Sequence, residues 1–158
     1  PLHHRAPSVI GAAADVPDCM VELICDGVHI DPSVVRTTFK LFGEDNVILI
    51  SDSMMAAGQP EGTYALGGQP VHVCGNHATL EDGTLAGSST NLFSCMVNAV
   101  RMGIPLSVAI KAATINPCRS IGTDHCLGSI AEGKKAHMLL LCPEDLSLLH
   151  VIKGEVCQ

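Results

Sequence analysis

Apolar residues follow two rhythms along this chain, and the switches between them mark its elements. Met20 to Cys25 (MVELIC) is a short apolar run ended by Asp26-Gly27, the pattern of a buried strand with polar residues at its C-terminal end. Asp31 and Pro32 then supply a helix cap and a first helical residue. Val35, Phe39 and Phe42 fall on one face of the helix they open, which Gly43 closes. Asn46 to Ile50 (NVILI) is a second apolar run, stopping abruptly at Ser51-Asp52-Ser53. Strand, helix and strand at this spacing predict a βαβ unit with two parallel neighbours. Polar residues at the C-terminal ends of such strands are where α/β enzymes keep their chemistry.

Beyond Gly58 the rhythm changes. Up to Gly87 the chain is rich in glycine, with strand-like pieces at Tyr64 to Leu66 and Pro70 to Cys74 and turns at Gly67-Gly68 and Asp82-Gly83. Small antiparallel hairpins are expected there rather than another βα repeat. Helical periodicity returns over Ser89 to Met102, with Leu92, Met96 and Ala99 on one face, and again over Pro105 to Ala113. Asn116-Pro117 is expected to restart a short helix by the same cap-then-proline logic as Asp31-Pro32. Two strands should flank the turn at Pro143-Glu144-Asp145. The chain thus offers about two parallel βα units, whereas a closed α/β barrel needs eight. It is either a small α/β domain or a piece of a larger barrel.

Composition narrows the function classes. Of 158 residues, 47% are hydrophobic and 16% charged, which excludes intrinsic disorder. A net charge of −7 without clustered Lys/Arg excludes a nucleic-acid partner, though one Arg and a few backbone N–H groups still suffice for a single phosphate. No apolar run reaches the length of a membrane span, so no membrane partner is expected. The eight cysteines form no CxxC pair, and several sit inside apolar stretches. They read as reduced, buried thiols of a cytoplasmic protein.

Asp52 is the sharpest chemical candidate: a charge at the end of a buried strand is costly unless paired, metal-bound or hydrogen-bonded. It equally suits the cap of the next segment. His29 lies on the loop after the preceding strand and could face the same cleft. Arg5, in the His3-His4-Arg5 cluster, is either a basic ligand loop or a terminus. The other histidines lack HxH or HxxxH spacing, so no self-contained zinc site is expected. Gly87-Ser88-Ser89 reads as the start of a helix that binds an anion or is merely capped.

Five segments carry a resemblance. They are Leu23 to Ile30 (LICDGVHI), Leu49 to Ser53 (LISDS), Asp82 to Ser89 (DGTLAGSS), Ala113 to Pro117 (ATINP), and Gly128 to Lys134 (GSIAEGK) with Val151 to Gly154 (VIKG). In order and spacing the chain resembles the C-terminal portion of the N-acetylglucosamine-6-phosphate deacetylases of the amidohydrolase superfamily. The resemblance implies an α/β fold: the C-terminal part of a (β/α)8 TIM-like barrel over residues 1–125, with a hairpin insertion at about 58–87, and strands of a small β-sandwich over 126–158. It implies metal-dependent hydrolysis of the acetamide of N-acetylglucosamine 6-phosphate to glucosamine 6-phosphate and acetate. By that resemblance Asp52 is the catalytic acid/base, His29 contacts substrate, Arg5 grips the phosphate, and Leu85, Ala86, Gly87 and Ser88 lie over the sugar. An amide is a poor electrophile, so a divalent metal (Zn or Fe) must supply hydroxide, and one carboxylate can serve both proton transfers.

The pattern also breaks. The family's Glu and His metal ligands fall on earlier strands, so the metal set is incomplete in this chain, with Asp52 the one possible ligand. The expectation is a longer natural chain upstream of Pro1, and a 158-residue chain that alone is inactive and folds poorly, with swapped or oligomeric packing or an N-terminal part supplying what it lacks. Ser8 stands where a Gly is usual, and His137 where an Asp is common. The intact enzyme is expected to be a homo-oligomer, a dimer or larger, acting on a small amino-sugar phosphate. Rival readings are a dihydroorotase-like or N-acyl-amino-acid amidohydrolase, and a non-catalytic remnant that binds sugar phosphate.

Overall fold

The computed structural model describes residues 2–154 and divides the chain into two compact units, Pro1–Ala113 and Thr114–Gln158. The first unit opens with a short helix, α1 (Ser8–Ala14), that buries none of its residues. Next comes the βαβ unit: β1 (Val21–Ile24), α2 (Pro32–Phe42) and β2 (Val47–Ile50), with β1 and β2 paired in parallel, Leu23 opposite Leu49 and Ile24 opposite Ile50. Asp31 caps α2 by accepting from the Ser33 N–H at 2.8 Å, and the Gly43 N–H closes the helix on the Phe39 carbonyl. Val35 and Phe39 are buried, as their spacing requires, and Val47 to Leu49 are buried throughout. Each such side chain contributes about 1.5–3 kcal/mol of apolar burial. Helices α2, α3 (Leu92–Arg101) and α4 (Leu106–Ala113) all pack on β2. Lys111 of α4 bridges to Glu44 at 3.3 Å and Asp45 at 2.7 Å, in the loop ahead of β2.

The glycine-rich stretch forms a three-stranded antiparallel sheet of β3 (Gly62–Leu66), β4 (Gln69–Cys74) and β5 (His77–Thr79). Gly67 and Gly68, at φ 58° and 84°, make the two-residue turn that sets Leu66 opposite Gln69. A separate core lies under this sheet, built from Met54, Ala56, Val71, Val73, Ala78 and Ala86.

In the second unit α5 (Ile115–Ser120) precedes the antiparallel pair β6 (His137–Leu141) and β7 (Leu148–Lys153), whose register shifts between Leu140 and Leu141. The last residues of the expected second strand, 155–158, lie outside the described residues.

Two expectations need correction, and one element is unpredicted. The third helix starts at Leu92, not Ser89, because the Asn91 side chain accepts from the Ser94 N–H at 2.9 Å and fixes the start there. Asn116 does not cap α5; Thr114 precedes the helix and Asn116 is buried inside it. The stretch before β1 holds a helix, α1, that the hydrophobic pattern does not predict, because a helix with no buried face leaves no apolar periodicity to read.

Candidate active site

The parallel register of β1 and β2 sends both chains out of the sheet at the same edge, one into Cys25-Asp26 and the other into Ser51-Asp52. His29 and Asp52 thus lie on loops leaving one edge of the pair, in keeping with the strand pattern.

On the first loop, Asp26 organises the turn after the strand. It is buried, and its Oδ1 accepts the N–H groups of Val28 at 2.9 Å and His29 at 3.0 Å. Its Oδ2 lies 2.6 Å from Nδ1 of the His29 ring. Its carbonyl accepts from Nδ2 of Asn98 at 3.3 Å, tying the loop to α3. Burial alone would raise the Asp26 carboxyl, but the two backbone N–H groups and the ring outweigh it and hold the group below its usual value. The hydrophobic pattern marks Asp26 only as the end of a strand. The signal that could have found it is the Asp-Gly-x-His spacing, which lets one carboxylate reach N–H groups two and three residues on.

On the second loop, Asp52 has φ 48°, a left-handed conformation uncommon outside glycine but tolerated by Asp. It is exposed, and among the described residues its carboxylate has no hydrogen-bond partner. Its backbone is firmly held. The Asp52 carbonyl accepts the Ser88 N–H at 2.9 Å, and the Ser88 carbonyl accepts the Met54 N–H at 2.8 Å, making a parallel bridge between Ser53 and Ser88. Ser53 Oγ donates to the Thr90 carbonyl at 2.6 Å and lies 2.8 Å from Ser51 Oγ. Two segments 36 residues apart are thereby fastened (88 − 52).

Gly87-Ser88 is therefore not the start of a helix; it is a strap bonded to the Asp52 loop. Gly87 has φ 64°, and an added Cβ would lie 3.4 Å from Met54 Cβ and 3.6 Å from the Asp52 carbonyl. Ser88 is buried, with its hydroxyl accepting the Thr90 N–H at 3.0 Å, and Ala86 is buried under the hairpin sheet. Leu85 stays exposed and pairs with Thr79 through an isolated bridge. Arg5 is exposed on a small turn closed between His3 and Ala6, its backbone N–H bonded to His3 Nδ1 at 3.3 Å. Among the described residues no hydrogen bond or ion pair joins its side chain to Asp52, His29 or the strap.

Two of the cysteines, Cys25 and Cys95, are buried beside the first loop. The seven described ones form no disulfide, and burial pushes the Cys25 thiol up to about 12 and Cys95 to about 11, leaving both protonated. No group of three or more His, Cys, Asp or Glu among the described residues is arranged to hold a metal ion, and no helix among them is long and apolar enough to cross a membrane.

Comparison with known proteins gives these features a context. Residues 3–154 match the model of the amidohydrolase family. The chain is 36% identical over 141 residues to a protein of Escherichia coli (strain K12) whose name provisionally makes it an N-acetylgalactosamine-6-phosphate deacetylase, covering 89% of this chain and 84% of that one. It is 37% identical over 139 residues to N-acetylglucosamine-6-phosphate deacetylase from Vibrio furnissii, covering 87% of this chain and 35% of the relative. The crystal structure of N-acetylglucosamine-6-phosphate deacetylase from Thermotoga maritima matches with a TM-score of 0.88 at 39% identity, over 99% of this chain and 43% of that one. Against the latter two proteins the chain spans about two fifths of their length or less.

Proposed function

This chain belongs to the amidohydrolase family, and from that membership we propose that it supplies the acid/base carboxylate and the substrate-facing loops of an N-acetylglucosamine-6-phosphate deacetylase. The reaction is hydrolysis of the acetamide to glucosamine 6-phosphate and acetate. The observation that carries this reading is that the backbone of the Asp52 loop is bonded to the Gly87-Ser88 strap while the Asp52 carboxylate itself has no hydrogen-bond partner among the described residues. A general acid/base needs that freedom, because a carboxylate already saturated with hydrogen bonds is a poor proton acceptor. In this role Asp52 takes a proton from the attacking water and returns it to the amine as the C–N bond breaks.

His29, held through Asp26, would contact the sugar. Leu85, exposed on the strap, would lie against it, with Ala86, Gly87 and Ser88 setting the strap's path. Arg5 would bind the 6-phosphate, since guanidinium is always charged and can bind phosphate bidentately. A divalent metal such as Zn or Fe, when bound, would polarise the acetamide and acidify the water. The described residues do not fit one by themselves: Asp52 is a single ligand where such a site needs three or more. The steps assigned to this chain are its own proton transfers and contacts. The βαβ unit would be two strands of a (β/α)8 barrel, residues 126–158 the returning strands of a small β domain, and the whole a cytoplasmic homo-oligomer.

One relative bears the name of an N-acetylgalactosamine-6-phosphate deacetylase, which makes the 4-epimer the second substrate to test. Acetate release by the intact protein should be measured with N-acetylglucosamine 6-phosphate, its 4-epimer and the unphosphorylated sugar. The reading predicts the highest kcat/KM for the first and a large loss without phosphate. Preference for a dihydroorotate-like ring or an N-acyl amino acid over all three sugars would overturn it.

A further inference from the structure

We propose that Asp26 is a positioning residue that fixes the tautomer of His29, so that His29 meets a bound ligand through Nε2 as a hydrogen-bond acceptor. The sugar-phosphate identity of that ligand rests on the function proposed above; the tautomer does not.

The geometry assigns each oxygen of Asp26 a separate task. Oδ1 takes two backbone N–H groups, from Val28 and His29, and closes the loop after β1. That alone would be a structural turn. Oδ2 makes no backbone bond and lies 2.6 Å from His29 Nδ1. The Asp26 side chain is fully buried, whereas 19% of the His29 side chain remains exposed. An ionised carboxylate can only accept, so the proton between them belongs to Nδ1. In the neutral ring the lone pair is then on Nε2, the nitrogen left for a ligand. Such a nitrogen suits a donor. A sugar hydroxyl or an amide N–H satisfies it, while a carbonyl or phosphate oxygen would face it lone pair to lone pair. His29 is thereby assigned to recognise a donor group on the substrate, leaving phosphate to other residues.

Because Oδ1 is anchored by two N–H groups, Asp26→Asn makes a specific prediction. The amide must keep its oxygen at the Oδ1 position, which puts its NH2 at the Oδ2 position, facing Nδ1. The polarity of that bond reverses, and the ring is driven to the Nε2–H tautomer with its fold retained. Asp→Asn beside a functional histidine is known to act this way in serine proteases. In long-range 1H–15N spectra of the intact protein, recorded at a pH where the ring is neutral, wild-type His29 should be protonated at Nδ1 and bare at Nε2, and the variant should show the reverse. The variant's kcat/KM for N-acetylglucosamine 6-phosphate should fall roughly 10- to 100-fold, the scale seen for partners that orient a functional imidazole. In a His29→Ala background, Asp26→Asn should add almost nothing, because the effect runs through the ring.

In the neutral ring, reached by raising the pH until only one nitrogen is protonated, wild-type protonation at Nε2 would overturn the proposal. So would an unchanged tautomer in the variant, or an equal loss with and without His29. If the wild-type protein released no acetate from any N-acetylhexosamine 6-phosphate, the function reading would fail while the spectra still decided the tautomer.

Discussion

Replacing Asp52 separates chemistry from fold more cleanly than any other change in this chain. Its side chain is exposed and bonded to nothing among the described residues, so Asp52→Asn loses no hydrogen bond. Its backbone sits at φ 48°, which Asn tolerates as well as Asp does. Stability should therefore change by no more than about 0.5 kcal/mol, or about 1–2 °C in Tm for a domain of this size. Loss of a general acid/base should lower kcat by roughly 10²–10⁴, about 3–5.5 kcal/mol on the barrier. The kinetic effect should exceed the thermodynamic one several-fold. Asp52→Ala supplies the contrast: it should be equally inactive but carry left-handed strain of about 1–2 kcal/mol. Asp52→Gly should be inactive without that strain. Acetate release and urea unfolding on the same three intact variants give both readouts. An Asn variant keeping more than about a tenth of wild-type kcat would refute the acid/base role. Equal stability of the Ala and Gly variants would refute the strain.

The remaining expectations concern the supports of the site. Gly87→Ala meets only ordinary van der Waals contacts, 3.4 Å at the nearest, so its positive φ decides the outcome: a loss of about 1–2 kcal/mol, with kcat reduced through the Asp52 bridge. A Gly87→Ala variant melting at the wild-type temperature would contradict this. Arg5→Ala should raise KM for the phosphorylated sugar by about 10- to 150-fold, the equivalent of a charge-assisted bond of about 1.5–3 kcal/mol, and leave the unphosphorylated sugar unaffected; equal effects on both sugars would remove Arg5 from the phosphate site. Ser8 has φ 52°, a left-handed conformation that glycine adopts without the Cβ penalty, so Ser8→Gly should stabilise by roughly 0.5–1 kcal/mol in thermal melts, and a lower Tm would count against it. The Asp26 carboxyl is held below its usual 3.8, so its stabilisation is fully present above that pH and is lost as pH falls through the lower folded value. The gap in urea midpoint between wild type and Asp26→Asn should be constant above about pH 5 and shrink below about pH 4; a gap independent of pH would mean that Asp26 is not ionised in the fold.

The βαβ unit is legible in the sequence because the apolar rhythm changes there from continuous runs to helical spacing, with Asp31-Pro32 and Gly43 punctuating it. The hairpin sheet is legible from its paired glycines. The strap is not, because the Ser53–Ser88 bridge is made by backbone groups that any residue carries. The hardest distinction lies between Asp26 and Asp52. Both come after an apolar strand of the same pair and leave at the same edge, and by pattern alone they are alike. Their environments are opposite. Asp26 is buried and engages both oxygens within its own loop, while Asp52 is exposed and engages neither among the described residues. The difference comes from the turn after each: the Asp26 loop curls its own N–H groups back onto the carboxylate, whereas the Asp52 backbone turns left-handed and is bonded instead to a segment far along the chain. A carboxylate that is already satisfied orients a neighbour, and one left unsatisfied is available to move a proton. The roles of these two aspartates therefore depend on where their hydrogen bonds are made, which strand pattern alone does not encode.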